Sequence, residues 1–247
     1  ETGGAEARRP RAADVAVAIG TSKCAEDPKM VDKIMTMVNR SYYESMKDFL
    51  HPSQTSYERL SRDEVVDRLE MGDEGPSANR VLHLAHKGPE LTPDSVVGCM
   101  SSTYQPPWCE SGCGHWGLLV VDVDHQGQGI ATVMIDSAEE RLAGVCREIQ
   151  MEYEYTAGHA VSERMMRWYE GRCGFVCNTG FRRGGGAQFR KCRKIISPEV
   201  ASRGRRRRLG EIRALLSEEL AKIEQGVDQE DAEKEADTSD DASDSSA

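Results

Sequence analysis

Residues 118–131 read Leu-Leu-Val-Val-Asp-Val-Asp-His-Gln-Gly-Gln-Gly-Ile-Ala, the most informative segment of the chain. An apolar run with the composition of a β-strand leads directly into Gly127 and Gly129. A helical pattern follows, with apolar residues spaced three and four apart: Ile130, Val133, Met134, Ala138 and Leu142. Glycines allow a tight turn, and a helix start directs unpaired N–H groups at one point. The stretch therefore predicts a strand-to-helix turn that cradles a phosphate or pyrophosphate.

The residues of the loop distinguish three kinds of phosphate-binding turn. A P-loop requires a Gly-Lys-Ser/Thr ending, and no lysine is present here. A dinucleotide fingerprint requires a third glycine, where this chain has Thr132. Glu148 or Glu152 does stand near the distance expected for the acidic residue of that fingerprint, so the dinucleotide hypothesis is weakened but stays open.

The third kind of turn has the pattern Gln/Arg-x-x-Gly-x-Gly/Ala, which Gln126, Gly129 and Ala131 match. It resembles the acyl-CoA pyrophosphate loop of the GNAT superfamily of N-acetyltransferases. The wider string over residues 121–131 resembles the family's Val-Asp-Pro-x-x-Arg-Gly-x-Gly-Ile-Gly, with Val123 in place of proline. The resemblance implies acetyl-CoA as co-substrate and the following residues as its contacts: Val121, Val123, Gln126, Gly127, Gln128, Gly129, Ile130, Ala131, Thr132 and Ser162.

A downstream segment carries the same resemblance. Residues 149–155 alternate between apolar and polar side chains, which predicts a strand with one buried face. A helix is predicted next, with Ser162 as its N-cap. By resemblance Ser162 takes the family's Asn/Ser position and Tyr169 the tyrosine that follows in the motif. Met165 replaces the usual small residue, and one extra residue lies between Tyr169 and Gly174, an insertion that could rotate the end of the helix.

The resemblance also implies a mechanism. An amine would attack the thioester directly, in a wedge where the fourth and fifth strands part, and a backbone N–H near Val123 would polarise the thioester carbonyl. Tyr169 would donate a proton or a hydrogen bond to the leaving sulfur. Glu152 and His115 are the first candidates for the base that deprotonates the amine, and two alternatives stay open: Glu154 and His159.

The order of predicted elements is strand, two helices, three strands, helix, strand, helix and two strands. It matches the GNAT arrangement over residues 13–196: an α/β fold whose mixed central sheet is splayed between strands 4 and 5 and flanked by helices. Within it, Ser61-Arg-Asp-Glu64 is a capping-box signature that predicts a helix start.

The flanking segments differ in composition from this domain. Residues 1–12 form a polar arm, and residues 197–227 hold a basic linker and an amphipathic helix. Residues 228–247 are acidic and low in apolar content, which predicts a disordered tail. Arg203–Arg208 is a basic run, typical of nuclear import or of nucleic-acid or protein contact, and equally of a solvated linker that the tail neutralises.

Composition sets the outer limits on function. The chain has 247 residues and a formal net charge of −10. No apolar stretch approaches the roughly 20 residues of a membrane span, so we expect a soluble protein. Residues 1–181 hold 28 acidic and 18 basic side chains, an excess that favours an amine, a polyamine or a lysine-bearing peptide as acceptor. The chain begins at Glu1, which is consistent with a fragment or a processed product.

Eight cysteines are scattered through the chain, several within predicted elements. That usage suits reduced thiols and a cytoplasmic or nuclear location. Cys109, Cys113 and His115 suggest half of a zinc site, and only Cys173 and Cys177 could supply the rest, so we expect no metal.

The sequence thus predicts an acetyl-CoA-dependent N-acetyltransferase with an unidentified primary amine as acceptor. The alternative is a non-catalytic adaptor that binds CoA, nucleic acid or a protein through the same scaffold and the arginine-rich segment.

Overall fold

The computed structural model describes residues 14–47, 50–51, 53–182 and 188–196. The chain divides into two compact units, Glu1–Ser202 and Arg203–Ala247, and all described residues belong to the first. The predicted N-terminal arm, basic linker with its helix, and acidic tail lie outside the described residues. None of the helices within the described ranges has the length and apolar character needed to cross a lipid bilayer.

A seven-stranded sheet forms the centre of the fold, with the strand order β1-β2-β3-β4-β5-β7-β6. Its strands are β1 (Val15–Ile19), β2 (Arg80–Lys87), β3 (Val96–Tyr104), β4 (Gly114–Val121), β5 (Glu148–Tyr155), β6 (Val176–Arg182) and β7 (Gln188–Ile195). Neighbouring strands are antiparallel except β4 and β5, which run parallel. The predicted mixed α/β sheet is therefore confirmed.

Helices connect these strands in the predicted order. They are α1 (Ser22–Ala25), α2 (Pro28–Met46), α3 (Arg62–Glu70), α4 (Ile130–Ala143) and α5 (Ala160–Met166), and the short α1 is the one that the sequence did not predict. The predicted capping box opens α3: the Ser61 hydroxyl accepts a hydrogen bond from the Glu64 N–H, and the Glu64 side chain accepts one from the Ser61 N–H. The strand around Trp116 ends at Val121, so Val123 lies beyond it in a 3-10 turn (Val123–His125).

Two hydrophobic clusters cover the sheet. The predicted apolar face of α4 is buried and packs with Trp116 and Ile149. The second cluster joins α2 and α3 to Leu82 and Leu84 of β2, whereas Ala85 of the same strand belongs to the first. Because successive side chains of a strand point to opposite faces, the two clusters lie on opposite sides of the sheet.

β4 carries a β-bulge and pairs with β5 over very little of its length. Cys99 and Ser101 of β3 pair with Val120 and Gly117, so β4 holds one extra residue there, and Leu118 has a φ of +48°. β4 pairs with β5 through Gly114 and Ile149 alone, whereas β5 and β7 pair along their whole length. The predicted splay between the fourth and fifth strands is therefore confirmed.

The N-terminus of α5 differs from the prediction. We predicted Ser162 as its N-cap, but the N-cap position lies three residues earlier, at His159, and the helix begins at Ala160. Ser162 is buried, and its hydroxyl accepts a hydrogen bond from the Thr156 N–H at 3.1 Å. The hydroxyl therefore satisfies the backbone where it leaves β5, instead of capping the helix.

The expectation of reduced cysteines is wrong for one pair. Cys177 and Cys192 lie directly opposite each other on β6 and β7, and they form a disulfide. Sequence spacing did not indicate this pair, because strand register alone brings the two residues together. The six other cysteines are free thiols.

Gly98 provides a test of the packing between α4 and the sheet. A Cβ at this position would lie 2.8 Å from the Val120 carbonyl oxygen and 3.0 Å from the Met134 Cε. We expect Gly98→Ala to lower the free energy of unfolding by about 1–3 kcal/mol in urea denaturation, because the backbone of β4 cannot retreat. Gly171→Ala is the control, since a Cβ there meets nothing within 4 Å. Equal stability of the two variants would contradict this packing.

Candidate functional site

Asp122 holds the start of the glycine loop in place. Its side chain caps the 3-10 turn at the Asp124 N–H and accepts a hydrogen bond from the Lys33 Nζ of α2 at 2.8 Å. Arg40 lies about two helical turns further along α2 and forms an ion pair with Asp124 at 3.2 Å. Burial alone would raise the pKa of Asp122, but the hydrogen bonds from Lys33 and Asp124 outweigh it and lower that pKa. The loop is thus attached to α2 by charged contacts.

The glycine loop presents unused N–H groups. Gly127 and Gly129 both have a φ of +78°, the left-handed region that favours glycine, and α4 begins directly afterwards at Ile130. Among the described residues no carbonyl accepts a hydrogen bond from the amides of residues 127–131, and the first helical bonds start at Thr132. The predicted anion cradle is therefore geometrically possible, since its donors are not consumed by the protein itself.

Lys87 places a positive charge beside this loop, which the sequence analysis missed. Its Nζ donates a hydrogen bond to the Gln128 Oε1 at 2.9 Å and lies 3.2 Å from the His125 Nδ1. Lys87 is the last residue of β2, far from the loop in sequence. No local motif could have identified it, because the contact depends on how the sheet meets the start of α4.

A cavity of about 430 Å³ lies where β4 and β5 part. Four of the predicted site residues line it: His115, Glu152, Ser162 and Tyr169. Val121, Val123 and the loop over residues 126–132 are not part of its wall. The wall between the predicted catalytic residues is largely apolar and aromatic, with contributions from Trp116, Met151 and Tyr153. The cavity is thus a candidate for the reaction chamber, with the loop as a separate anion site.

His115 is poised to act as a base. Its Nδ1 lies 2.8 Å from the Gln150 carbonyl oxygen, which can only accept, so Nδ1 carries the proton and Nε2 keeps its lone pair. Burial lowers the pKa of His115, although the Gln150 hydrogen bond and the Glu152 charge act in the opposite direction. The imidazole is therefore neutral near pH 7.

Tyr169 is poised to act as an acid. Its ring packs 5.2 Å from that of Tyr153 and contacts Phe175 edge-on at 6.4 Å. Burial raises the pKa of its phenol, so the hydroxyl keeps its proton at neutral pH. The Tyr153 hydroxyl, in contrast, already donates to Glu170 at 3.1 Å.

A π-helical turn, Arg167–Arg172, accommodates the extra residue before Gly174. The N–H of Cys173 bonds to the Trp168 carbonyl, five residues earlier, and the N–H of Phe175 bonds to the Tyr169 carbonyl. A π-turn holds one more residue than an α-turn, so the insertion is absorbed locally and Tyr169 still lines the cavity.

The remaining candidates divide between the cavity and its surroundings. Glu152 is exposed on β5, as is Glu154, and both line the cavity. His159 does not line it. Of the residues considered for zinc, Cys177 is bonded to Cys192 and cannot serve as a ligand.

A family model described as the acetyltransferase (GNAT) family matches residues 42–175. That match begins near the end of α2 and includes the glycine loop and every residue that lines the cavity except Phe189. A search of curated proteins finds no match to the chain.

Solved structures share the fold at low sequence identity. A GNAT-family acetyltransferase from Streptococcus pneumoniae has 16% identity and a TM-score of 0.51, covering 74% of this chain and 99% of that one. A protein from Desulfovibrio desulfuricans assigned to the GNAT family has 16% identity and a TM-score of 0.50, covering 74% of this chain and 99% of that one. An aminoglycoside 6'-N-acetyltransferase complexed with coenzyme A has 14% identity and a TM-score of 0.50, covering 74% of this chain and 98% of that one.

The protonation of His115 can be measured directly. We expect its pKa, followed by NMR of the imidazole, to lie below the ordinary 6.5, so that the neutral form predominates above that pKa and is lost as the pH falls through it. Glu152→Gln should lower this pKa further, because it removes a negative charge that favours imidazolium, and Arg80→Gln should raise it. A His115 pKa above 6.5 in the unmodified protein would contradict this prediction.

Proposed function

Because the chain belongs to the acetyltransferase (GNAT) family, we propose that it transfers an acetyl group from acetyl-CoA to a primary amine by direct attack. One observation carries the proposal: a single strand, β4, forms one wall of the cavity and then runs into the loop whose amides are unused. An extended ligand with a diphosphate at one end and a reactive acyl group at the other matches that arrangement.

Acetyl-CoA fits the anion cradle on two grounds. The N–H groups of residues 127–131 are available to a diphosphate, and Lys87 adds a positive charge beside them. The space in front of Gly127 is open, since a Cβ there would meet nothing within 4 Å. The aminoglycoside acetyltransferase of similar fold was solved with coenzyme A, which supports the same class of ligand.

The bulge supports a role in polarising the thioester. Residues 117–119 line the cavity, and the bulge at Leu118 interrupts regular pairing of β4 there. An N–H of this segment can stabilise the negative charge that develops on the carbonyl oxygen as the amine attacks. This position replaces the one expected near Val123, since Val123 does not line the cavity.

We assign the proton transfers from the protonation states of His115 and Tyr169. The neutral His115 Nε2 takes a proton from the ammonium, directly or through water, so that the amine lone pair can attack. The C–S bond of the tetrahedral intermediate then breaks, and Tyr169 donates its phenolic proton to the departing thiolate. The resulting phenolate takes the second proton that the acetylated nitrogen loses, and His115 releases its own to solvent. Glu152 supports His115 electrostatically and attracts the cationic acceptor. Ser162 acts as a positioning residue through its bond to the backbone after β5.

Acetyl-CoA binding tests the proposal first. We expect Gly127→Ala to weaken binding in calorimetry at least about tenfold, because a Cβ would stand in front of the amides that hold the diphosphate. Gly158→Ala is a matched control: Gly158 has the same φ of +78° and the same open space, so it carries the same strain without the loop. Equal affinities of the two variants would contradict the assignment of the loop, and no binding at millimolar acetyl-CoA would end the proposal.

The acid role of Tyr169 is tested by removing one oxygen. We expect Tyr169→Phe to lower kcat by roughly 10²-fold or more while the acetyl-CoA affinity stays unchanged, since the ring packing is kept and the proton donor is lost. Tyr153→Phe is the control, because that hydroxyl is already bound to Glu170. Turnover is measured by thiol detection of released CoA with polyamines, amino acids, aminoglycosides and N-terminal peptides. A kcat that drops no further than in Tyr153→Phe would remove Tyr169 from the mechanism.

A further inference from the structure

A second, smaller cavity of about 130 Å³ adjoins the reaction chamber. The two cavities share part of their walls, including His115, Gly117 and Leu118. Arg59 also lines both cavities, and the smaller one is lined in addition by Arg68, Arg80, Ser101, Thr103 and Trp108. A group bound there would therefore belong to a ligand whose other end reaches His115.

Three guanidinium groups meet at this smaller cavity. Arg59 precedes α3, Arg68 lies on α3 and Arg80 begins β2. Among the described residues, none of the three lies within 4.0 Å of a carboxylate, whereas Arg62 of the same helix is ion-paired with Asp32. Like charges at close range repel one another, so such a cluster is costly unless an anion offsets it.

The surroundings offset these charges only in part. Burial lowers the pKa of the Arg68 guanidinium, and the charges of Arg80 and Arg59 lower it further. Glu64 and Asp67 on α3 act in the opposite direction, but from outside ion-pair distance. Arg59 lies over the Tyr42 ring, 5.3 Å from its centroid, and that ring carries no charge. The cluster therefore keeps an excess of positive charge.

Two buried hydrogen-bonding groups at the same cavity have no partner in the protein. The Ser101 hydroxyl belongs to a residue that is only 4% exposed, and neither its Oγ nor the Arg68 Nε forms a hydrogen bond. Buried polar groups are normally satisfied, because leaving one unpaired costs about 1–3 kcal/mol. Both groups can donate a hydrogen bond, and the residues that carry them line the smaller cavity.

We propose that the smaller cavity binds an oxyanion of the acceptor, so that the acetylated substrate is a small amine that also carries a carboxylate or phosphate group. This inference rests on the proposed function and narrows its acceptor class. Arg68, Arg80 and the Ser101 hydroxyl hold the oxyanion, and the amine points into the chamber towards His115. Glu152 and Glu154 line the chamber, so they favour the ammonium end of the same molecule.

The local arrangement departs from the average charge of the chain. The acidic excess over residues 1–181 favours cationic acceptors such as polyamines. A polyamine would place a second cation against three arginines, which Coulomb repulsion disfavours. A zwitterionic amine satisfies both the acidic residues of the chamber and the arginines of the smaller cavity.

Matched substrates test the proposal in the full chain. Lysine and cadaverine differ by the carboxylate alone, and phosphoethanolamine and ethanolamine differ by the phosphate. We expect kcat/KM to favour the anionic member of at least one pair about tenfold or more, and the pair that shows it identifies the oxyanion. Arg68→Gln and Arg80→Gln should each bring that ratio towards one. Arg147→Gln, an exposed arginine that lines neither cavity, should leave it unchanged.

A readout without catalysis separates this proposal from the proposed function. We expect sodium phosphate or sodium acetate to raise the midpoint of thermal unfolding, relative to sodium chloride of equal ionic strength, by more in the unmodified protein than in Arg68→Gln or Ser101→Ala. If no amine is acetylated but this difference is found, the acetyltransferase proposal fails and the anion site stands. Transfer to cadaverine and ethanolamine as good as to their anionic partners, or stabilisation unaffected by both variants, overturns the anion site.

Discussion

The loss of pairing between β4 and β5 is the constraint on which the rest of the structure depends. Two parallel strands that stayed in register would close the sheet and leave no space between them. Here a single residue pair, Gly114 with Ile149, joins the strands, and β4 carries a bulge at Leu118 beyond that pair. The cavity, the access of His115 to it and the course of β4 towards the glycine loop all follow from that divergence.

Basic side chains hold and flank the glycine loop, although the net charge of the protein is negative. The chain is acidic overall, yet Lys33 and Arg40 fix the start of the glycine loop and Lys87 stands beside it. The contacts of Lys33 and Lys87 are short and partly buried, and that of Arg40 is short but exposed, so they outweigh distant surface charges chiefly through proximity. Net charge therefore says little about which ligand either site accepts.

The sequence predicted the features that depend on local pattern. The order of strands and main helices, the buried face of α4 and the capping box at Ser61 are confirmed, since propensity and periodicity act within a few residues. Tyr169 was chosen by family resemblance and His115 because an imidazole titrates near neutrality, and the structure places both at one cavity. Features that depend on tertiary placement were missed: Lys87 beside the loop, the Cys177–Cys192 pair and the arginines at the smaller cavity. Ser162 was assigned the wrong role because its partner, Thr156, precedes the helix.

The π-helical turn over Arg167–Arg172 has a consequence for how such chains are compared. An alignment that assumes fixed spacing introduces a gap between Tyr169 and Gly174, which suggests that the end of the helix differs in function. In the structure the additional residue is accommodated by the π-helical turn, and Tyr169 still lines the chamber. Relatives that vary in length at this place need not vary in chemistry, so hydroxyl position is a better guide to shared activity there than residue count.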